Sequence, residues 1–128
     1  MAHVFLKQKG HNLGKSFVED EYLEEAAAII KECEDKKIDL LLPVDLLVDD
    51  NIEKASQPKA YSVEQGVPSE LMGVDIGPET TKIYQDKIKE AQTVFWNGPM
   101  GIMEVEAFCQ GTQKVAEAIA ETACISVI

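Results

Sequence analysis

Basic side chains are scarce in this chain. Twelve of them face 23 carboxylates, a formal net charge of −11 at pH 7. That imbalance argues against nucleic acid as a partner, because affinity for it comes chiefly from cations meeting phosphates. It argues equally against an anionic membrane surface. So many carboxylates read instead as a soluble, monodisperse surface. Cysteine is also sparse: Cys33, Cys109 and Cys124 are widely spaced and form no C-x-x-C pair. Neither a zinc ribbon nor a thioredoxin-type site is therefore indicated. Cys33 and Cys109 sit on apolar helix faces and Cys124 in an apolar run, so buried free thiols in a reducing compartment are expected. No stretch approaches the roughly 20 apolar residues of a membrane span. The amino terminus shows no basic segment followed by an apolar one, as a secretory signal would. A cytoplasmic protein is expected. The G-x-G-x-x-G fingerprint is missing too, which argues against an NAD site.

What is present suffices for a core. The chain has 128 residues, 45% of them hydrophobic, which fits one domain or a large part of one. Met1 to Lys9 suits a short helix or a strand equally. Gly10 to Ser16, GHNLGKS, imitates a phosphate-binding P-loop, but that pattern needs four residues between its glycines and this has three. It reads as a turn leading to a helix. The spacing of Tyr22, Ala26, Ile29, Ile30 and Cys33 predicts that helix over 21–36. Ser16 with Glu19 suggests a capping box, and Asp20 an alternative cap.

The apolar run Leu40-Leu41-Leu42 predicts a strand over 38–44, covered on both faces and ended by Pro43. Asp45 reads as a carboxylate at a strand end in preference to a metal ligand. Residues 51–70 read as a surface excursion with an edge strand near 59–63. In Leu71 to Pro78, LMGVDIGP, Gly73 allows a backbone or a flat ligand to come close, or is merely a turn glycine. Pro78 suits the first position of a helix running to about Ala91, with Glu79 in its first turn.

The stretch from Thr93 to Ala123 organises the rest. Val94-Phe95-Trp96 predicts a strand, Asn97-Gly98-Pro99 and Gly101 a loop, and Val105, Phe108, Thr112, Val115, Ala116 and Ile119 a helix. In open parallel α/β sheets, ligands bind where such a loop leaves the carboxyl end of its strand. Asn97 both donates and accepts, and helix N-terminal amides favour an anion. Glu104 reads either as an acceptor for ribose hydroxyls or as an ordinary first-turn helix carboxylate; the residues alone favour neither. Cys124 to Ile128, CISVI, predicts another buried strand, ending abruptly in apolar sequence, as expected of a piece of a longer chain.

WNGPMG followed by an acidic residue and GT-x-x-VAEAIA resembles the carboxyl-terminal half of phosphoglycerate kinases. KQKGHNLGKSFVED, LLLPVDLLV and MGVDIGPET agree, in one order and over nearly the whole chain. Leu71 stands where many members carry tryptophan and Met103 where phenylalanine is common; both keep an apolar wall. The resemblance implies transfer of a phosphoryl group between 1,3-bisphosphoglycerate and MgADP, giving 3-phosphoglycerate and MgATP. It implies that Gly73 and Val74 line an adenine slot, that Asn97 and Pro99 lie along the nucleotide with Asn97 towards its phosphates, and that Glu104 takes the ribose hydroxyls.

It also implies an incomplete Rossmann-like, three-layer α/β/α domain with a mainly parallel sheet, residues 1–128 being part of the nucleotide-binding domain. The family's phosphate-contacting lysines would precede Met1. Its glycine-rich segment with the magnesium-linked aspartate would follow Ile128, and its phosphoglycerate-binding domain would lie elsewhere. No catalytic or metal-binding residue is therefore expected within these 128. Intact members are expected to act as monomers, whereas exposed strand edges in a piece favour self-association.

Overall fold

The computed structural model describes residues 1–128. Its first helix, α1 (Ala2–Gln8), settles the ambiguity at the amino terminus and buries Val4 and Leu6. The glycine-containing turn of residues 10–16 follows, with Gly10 and Gly14 at positive φ. A single 3-10 turn, Asp20–Tyr22, then leads into α2 (Leu23–Lys36), which packs on α1. No side chain caps α2, and the Ser16 hydroxyl instead accepts a hydrogen bond from the Gly73 amide (2.8 Å). The capping box is thus corrected to a tie between distant segments. Of the expected apolar stripe only Ala26 is buried, because the short α1 covers too little of a 14-residue helix. Cys33, Cys109 and Cys124 are half-buried free thiols, not the fully buried ones expected.

The strand expected over 38–44 does not form. Those residues have no ladder partner, and Leu40 and Leu41 remain exposed. An apolar run becomes a strand only if a neighbouring strand supplies a ladder of hydrogen bonds. This segment receives only isolated ones, from the Tyr84 hydroxyl to the Leu41 carbonyl and from the Val63 amide to the Val44 carbonyl. Pairing starts after Pro43, in β1 (Asp45–Asp49). β2 (Lys59–Ser62) and β3 (Met72–Ile76) flank β1, both antiparallel to it, in the order β2-β1-β3. The edge strand expected near 59–63 is β2. Leu46 and Val48 of β1 meet Leu6, Leu13, Val63 and Val67 in one core.

The remainder is α3 (Pro78–Lys89), β4 (Thr93–Phe95), a 3-10 turn at Glu106–Phe108, α4 (Gln110–Glu121) and β5 (Ile125–Val127). α3 packs on α4, and β4 pairs with β5 in parallel. The fold is α/β as expected, with β4 and β5 as its parallel strand pair and one isolated parallel bridge between Leu13 and Val67. β5 is exposed where burial was expected, with Ile125 69% accessible, and Phe95 of β4 is 75% accessible beside it.

Asp45 explains how β1 and α3 are joined. Its carboxylate is buried and accepts the amides of Glu79 (3.0 Å) and Thr80 (2.8 Å), at the start of α3. The Thr80 hydroxyl donates to the same carboxylate (2.6 Å) and accepts from the amides of Val44 and Asp45. Free helix-terminal amides and the positive end of the helix dipole favour this anion. Pro78 stands at the first position of the helix, as its sequence suggests. A Cβ at Gly77 would overlap the Asp45 carboxyl, so only glycine fits there. Asp45→Ala leaves buried donors unsatisfied and is expected to cost ~2–3 kcal/mol in urea unfolding. A loss below about 0.5 kcal/mol would show that α3 starts without it.

Candidate functional site

β3 carries the next link. The Val74 carbonyl accepts the Ile102 amide (3.1 Å), which ties the loop after β4 to the middle of β3. Beside it the Asp75 carboxylate turns inward, accepting the Gly111 amide (2.8 Å) and the Ile76 amide (2.8 Å). Asp75 is 4% exposed. An added Cβ at Gly101 would lie 2.5 Å from its Cγ, and one at Gly111 2.5 Å from its Oδ1. Two glycines from separate segments thus close over one carboxylate. Burial pushes the Asp75 carboxyl above its ordinary value, and the two amide hydrogen bonds only partly oppose this. Thr112 adds a third tie: its Oγ accepts the amides of Met100 (3.0 Å) and Gly101 (3.3 Å).

On the other side of the loop, the Trp96 amide donates to the Val127 carbonyl (2.9 Å), continuing the β4–β5 pairing. Trp96 and Met100 are therefore both anchored. Between them, Asn97, Gly98 and Pro99 make no hydrogen bond to the rest of the chain, and all three are exposed. Gly98 sits at φ +96°, and nothing lies within 4 Å of where its Cβ would be. The result is a rigidly mounted tip whose amides and side-chain amide are free to meet a ligand.

Glu104 lies in a turn, exposed, with no hydrogen bond or ion pair of its own. It stands six residues before α4, so the alternative of a first-turn helix carboxylate does not hold. An open cleft of about 580 Å³ runs beside it, walled by Val105, Glu106 and Gln110 on one side and by Glu53, Lys54 and Ala55 on the other. The second wall belongs to the excursion of residues 51–70, to which sequence patterns attach no role. Asp49 holds that excursion in place. Its buried carboxylate accepts the Ser56 amide (3.0 Å), the Ser56 hydroxyl (3.0 Å) and the Asp50 amide (2.7 Å).

Gly73 and Val74 stand apart from that cleft, within β3. Val74 is buried. Gly73 is a strand residue, not a turn residue, and the group brought close to it is a side chain of the chain itself. His3 Nε2 lies 2.8 Å from the position of an added Cβ there. The ring is steadied by a 3.1 Å contact between Nδ1 and the Phe17 carbonyl, with Nδ1–H as donor. Of the five residues singled out from sequence, Asn97, Pro99 and Glu104 are exposed, while Gly73 and Val74 back the loop through the Val74–Ile102 bond. Asp75, Gly111 and Thr112, which position that loop, escaped sequence reasoning. An aspartate set between Val74 and Ile76 in an apolar strand was the available signal. No group of three or more His, Cys, Asp or Glu side chains is placed to hold a metal ion, and no helix is long and apolar enough to cross a membrane.

These features define an α/β unit built around a strand–loop–helix crevice. Comparison with known proteins takes the assignment further: a family model described as phosphoglycerate kinase matches residues 1–128. The chain belongs to the phosphoglycerate kinase family. It is 44% identical over 128 residues to a phosphoglycerate kinase of Desulfosudis oleivorans and 45% identical to one of Desulforapulum autotrophicum. In both cases the whole chain is covered, but only 32% of the relative. Among solved structures, phosphoglycerate kinase from Coxiella burnetii superposes with a TM-score of 0.93 at 34% identity, covering 98% of this chain and 32% of that one. That from Pyrococcus horikoshii gives 0.80 at 29% identity, covering 96% and 31%. The chain thus spans about a third of the length of the relatives it matches.

His3 makes the region behind the loop sensitive to pH. Burial lowers its pKa from the ordinary 6.5, the hydrogen bond to Phe17 opposing this only in part. The unfolded chain therefore takes up the proton first as pH falls. Stability should be full above about 6.5 and decline as pH drops from there through the folded value. Urea midpoints across that window should fall in the parent, and the His3→Gln variant should lose part of the slope. Identical slopes would mean that His3 is not the group responsible.

Proposed function

We propose that this chain is part of the nucleotide-binding carboxyl-terminal domain of a phosphoglycerate kinase and supplies the adenosine side of its ADP/ATP site. The observation that carries this reading is the Asn97–Pro99 tip, fixed at both ends with its polar groups unpaired. Binding groups held by a rigid frame but not satisfied by it lose little freedom when a ligand arrives. Asn97 would face the nucleotide phosphates, Pro99 would lie along the nucleotide, and Glu104 would accept from the ribose hydroxyls. Gly73 and Val74 would contribute the β3 backbone to the adenine slot. In the complete enzyme the nucleotide carries Mg²⁺, which neutralises charge during transfer between 1,3-bisphosphoglycerate and ADP. The ion's aspartate ligand is proposed to belong to another part of the complete enzyme. A cytoplasmic location fits a glycolytic role.

Phosphoryl transfer depends on positioning both substrates and on cations that offset developing charge. A chain of net charge −11, spanning a third of its relatives, is proposed to bind ADP weakly and to turn nothing over. In a nitrogen–proton NMR titration with millimolar ADP, shifts should cluster at Gly73, Val74, Asn97 and Glu104. Glu104→Gln should weaken binding about fivefold, the worth of ~1 kcal/mol. A well-dispersed spectrum in which nothing moves would remove the adenosine-side reading. Turnover dependent on 3-phosphoglycerate would refute the inactivity.

The same chain is proposed to self-associate through β4 and β5. Phe95, Ile125, Val127 and Ile128 are exposed there, and no charged residue occurs between Thr93 and Gly98 or between Cys124 and Ile128. An uncharged, apolar strand pair with open edges is a template for pairing with another chain. Sedimentation coefficients should rise with concentration, and Phe95→Lys with Ile125→Lys should restore a monomer. A concentration-independent monomer would exclude this contact.

A further inference from the structure

We propose that Asn97 is a site of spontaneous deamidation, a modification that converts the loop tip from neutral to anionic. The reaction needs two partners, both unencumbered here. The electrophile is the Asn97 side-chain amide carbon; that side chain is exposed and holds no hydrogen bond. The nucleophile is the Gly98 backbone nitrogen, whose N–H has no acceptor and whose surroundings are empty for 4 Å about the position of a Cβ. Glycine is the residue that shields its own amide nitrogen least, having no Cβ.

Loss of the amide proton to water lets the Gly98 nitrogen attack Asn97 Cγ. The Cγ–N bond breaks and ammonia leaves, giving a cyclic imide. Water then opens the imide at either carbonyl, to aspartate or to isoaspartate. No oxidant or other co-reactant is required.

The chain contains two internal controls. Asn12 precedes Leu13, and its Oδ1 accepts the Gly14 amide (3.1 Å). Asn51 precedes Ile52, and its Oδ1 accepts the amides of Glu53 (2.8 Å) and Lys54 (3.3 Å). Each has its carbonyl engaged and a branched neighbour crowding the attacking nitrogen. Asn97 has neither protection.

The consequence rests on the nucleotide reading, although the reaction itself does not. A carboxylate at position 97 would face phosphates of its own sign, and isoaspartate would also lengthen the backbone at the tip.

The test is to incubate the full chain in mildly alkaline buffer beside a synthetic peptide of residues 95–100, and to follow both by peptide mass mapping with isoaspartate detection. Asn97 should gain about 1 Da at a rate within about tenfold of the peptide's, a barrier difference below ~1.4 kcal/mol. Asn12 and Asn51 should stay unchanged, and Asn97→Gln should abolish the gain. If Asn97 is intact when the peptide is fully converted, or if Asn12 or Asn51 reacts first, the proposal is overturned. A second arm adds saturating ADP. Slower conversion supports Asn97 as a nucleotide contact, whereas an unchanged rate removes Asn97 from the nucleotide site and leaves the modification standing.

Discussion

A buried carboxylate at the end of a strand, satisfied by the first amides of a helix, is the contact on which this structure depends. It occurs twice. Asp45 closes β1 onto the start of α3, and Asp75 closes β3 onto the start of α4. Burying a charge is costly unless it is hydrogen-bonded, and helix N-termini supply both donors and a favourable field. The two sites differ in how fully the carboxylate is satisfied. Asp45 receives two amides and a hydroxyl, all from α3. Asp75 receives one helix amide and the amide of its own neighbour, and burial holds its carboxyl above the usual range. That less favourable arrangement lies directly beneath the candidate site. There the carboxylate is enclosed by Gly101 and Gly111, so the loop cannot shift without opening space around a buried charge.

Those constraints explain why the loop is fixed at its base and free at its tip. Four separate elements reach it: β5 through Val127, β3 through Val74 and Asp75, and α4 through Gly111 and Thr112, with β4 leading in. None of their hydrogen bonds extends to Asn97, Gly98 or Pro99. Fixed ends and unsatisfied polar groups are the combination that binding requires, since the ordering cost is met within the fold. The same combination leaves the Asn97–Gly98 peptide chemically exposed.

Legibility in the sequence followed whether the cause was local. Pro78 and Glu79 mark the start of α3 because the proline ring and the helix dipole act within one turn, and both are where the pattern places them. The strand–loop–helix order of residues 93–121 was readable for the same reason. Leu40-Leu41-Leu42 misled because strand formation depends on a partner strand, which no local pattern can report; the run joins no sheet. Ser16 misled in the opposite direction. Its hydroxyl looks like a helix cap in sequence, yet it serves the Gly73 amide 57 residues away. In the candidate site, Asn97, Pro99 and Glu104 were identifiable from a family motif, whereas Asp75 and Thr112 act through contacts made only in the folded chain.

Gly73 shows how a correct physical premise can lead to an unexpected neighbour. A glycine in a strand permits close approach, and something does approach: the His3 imidazole, from the first turn of α1. The ring thereby couples the amino-terminal helix to β3, and β3 in turn holds the loop through the Val74–Ile102 hydrogen bond. Protonating His3 would place a charge against that strand, only one bonded step from the loop. If β3 yields, the effect should appear at Ile102 and its neighbours before the β1–β2 pairing is disturbed. That pairing is backed by the core of Leu6, Leu13, Leu46, Val48, Val63 and Val67, which reaches Gly73 through Leu46. The physical division of the molecule is therefore between a buried core around β1 and a loop assembly hung from β3, with His3, Ser16 and Asp75 as its attachments.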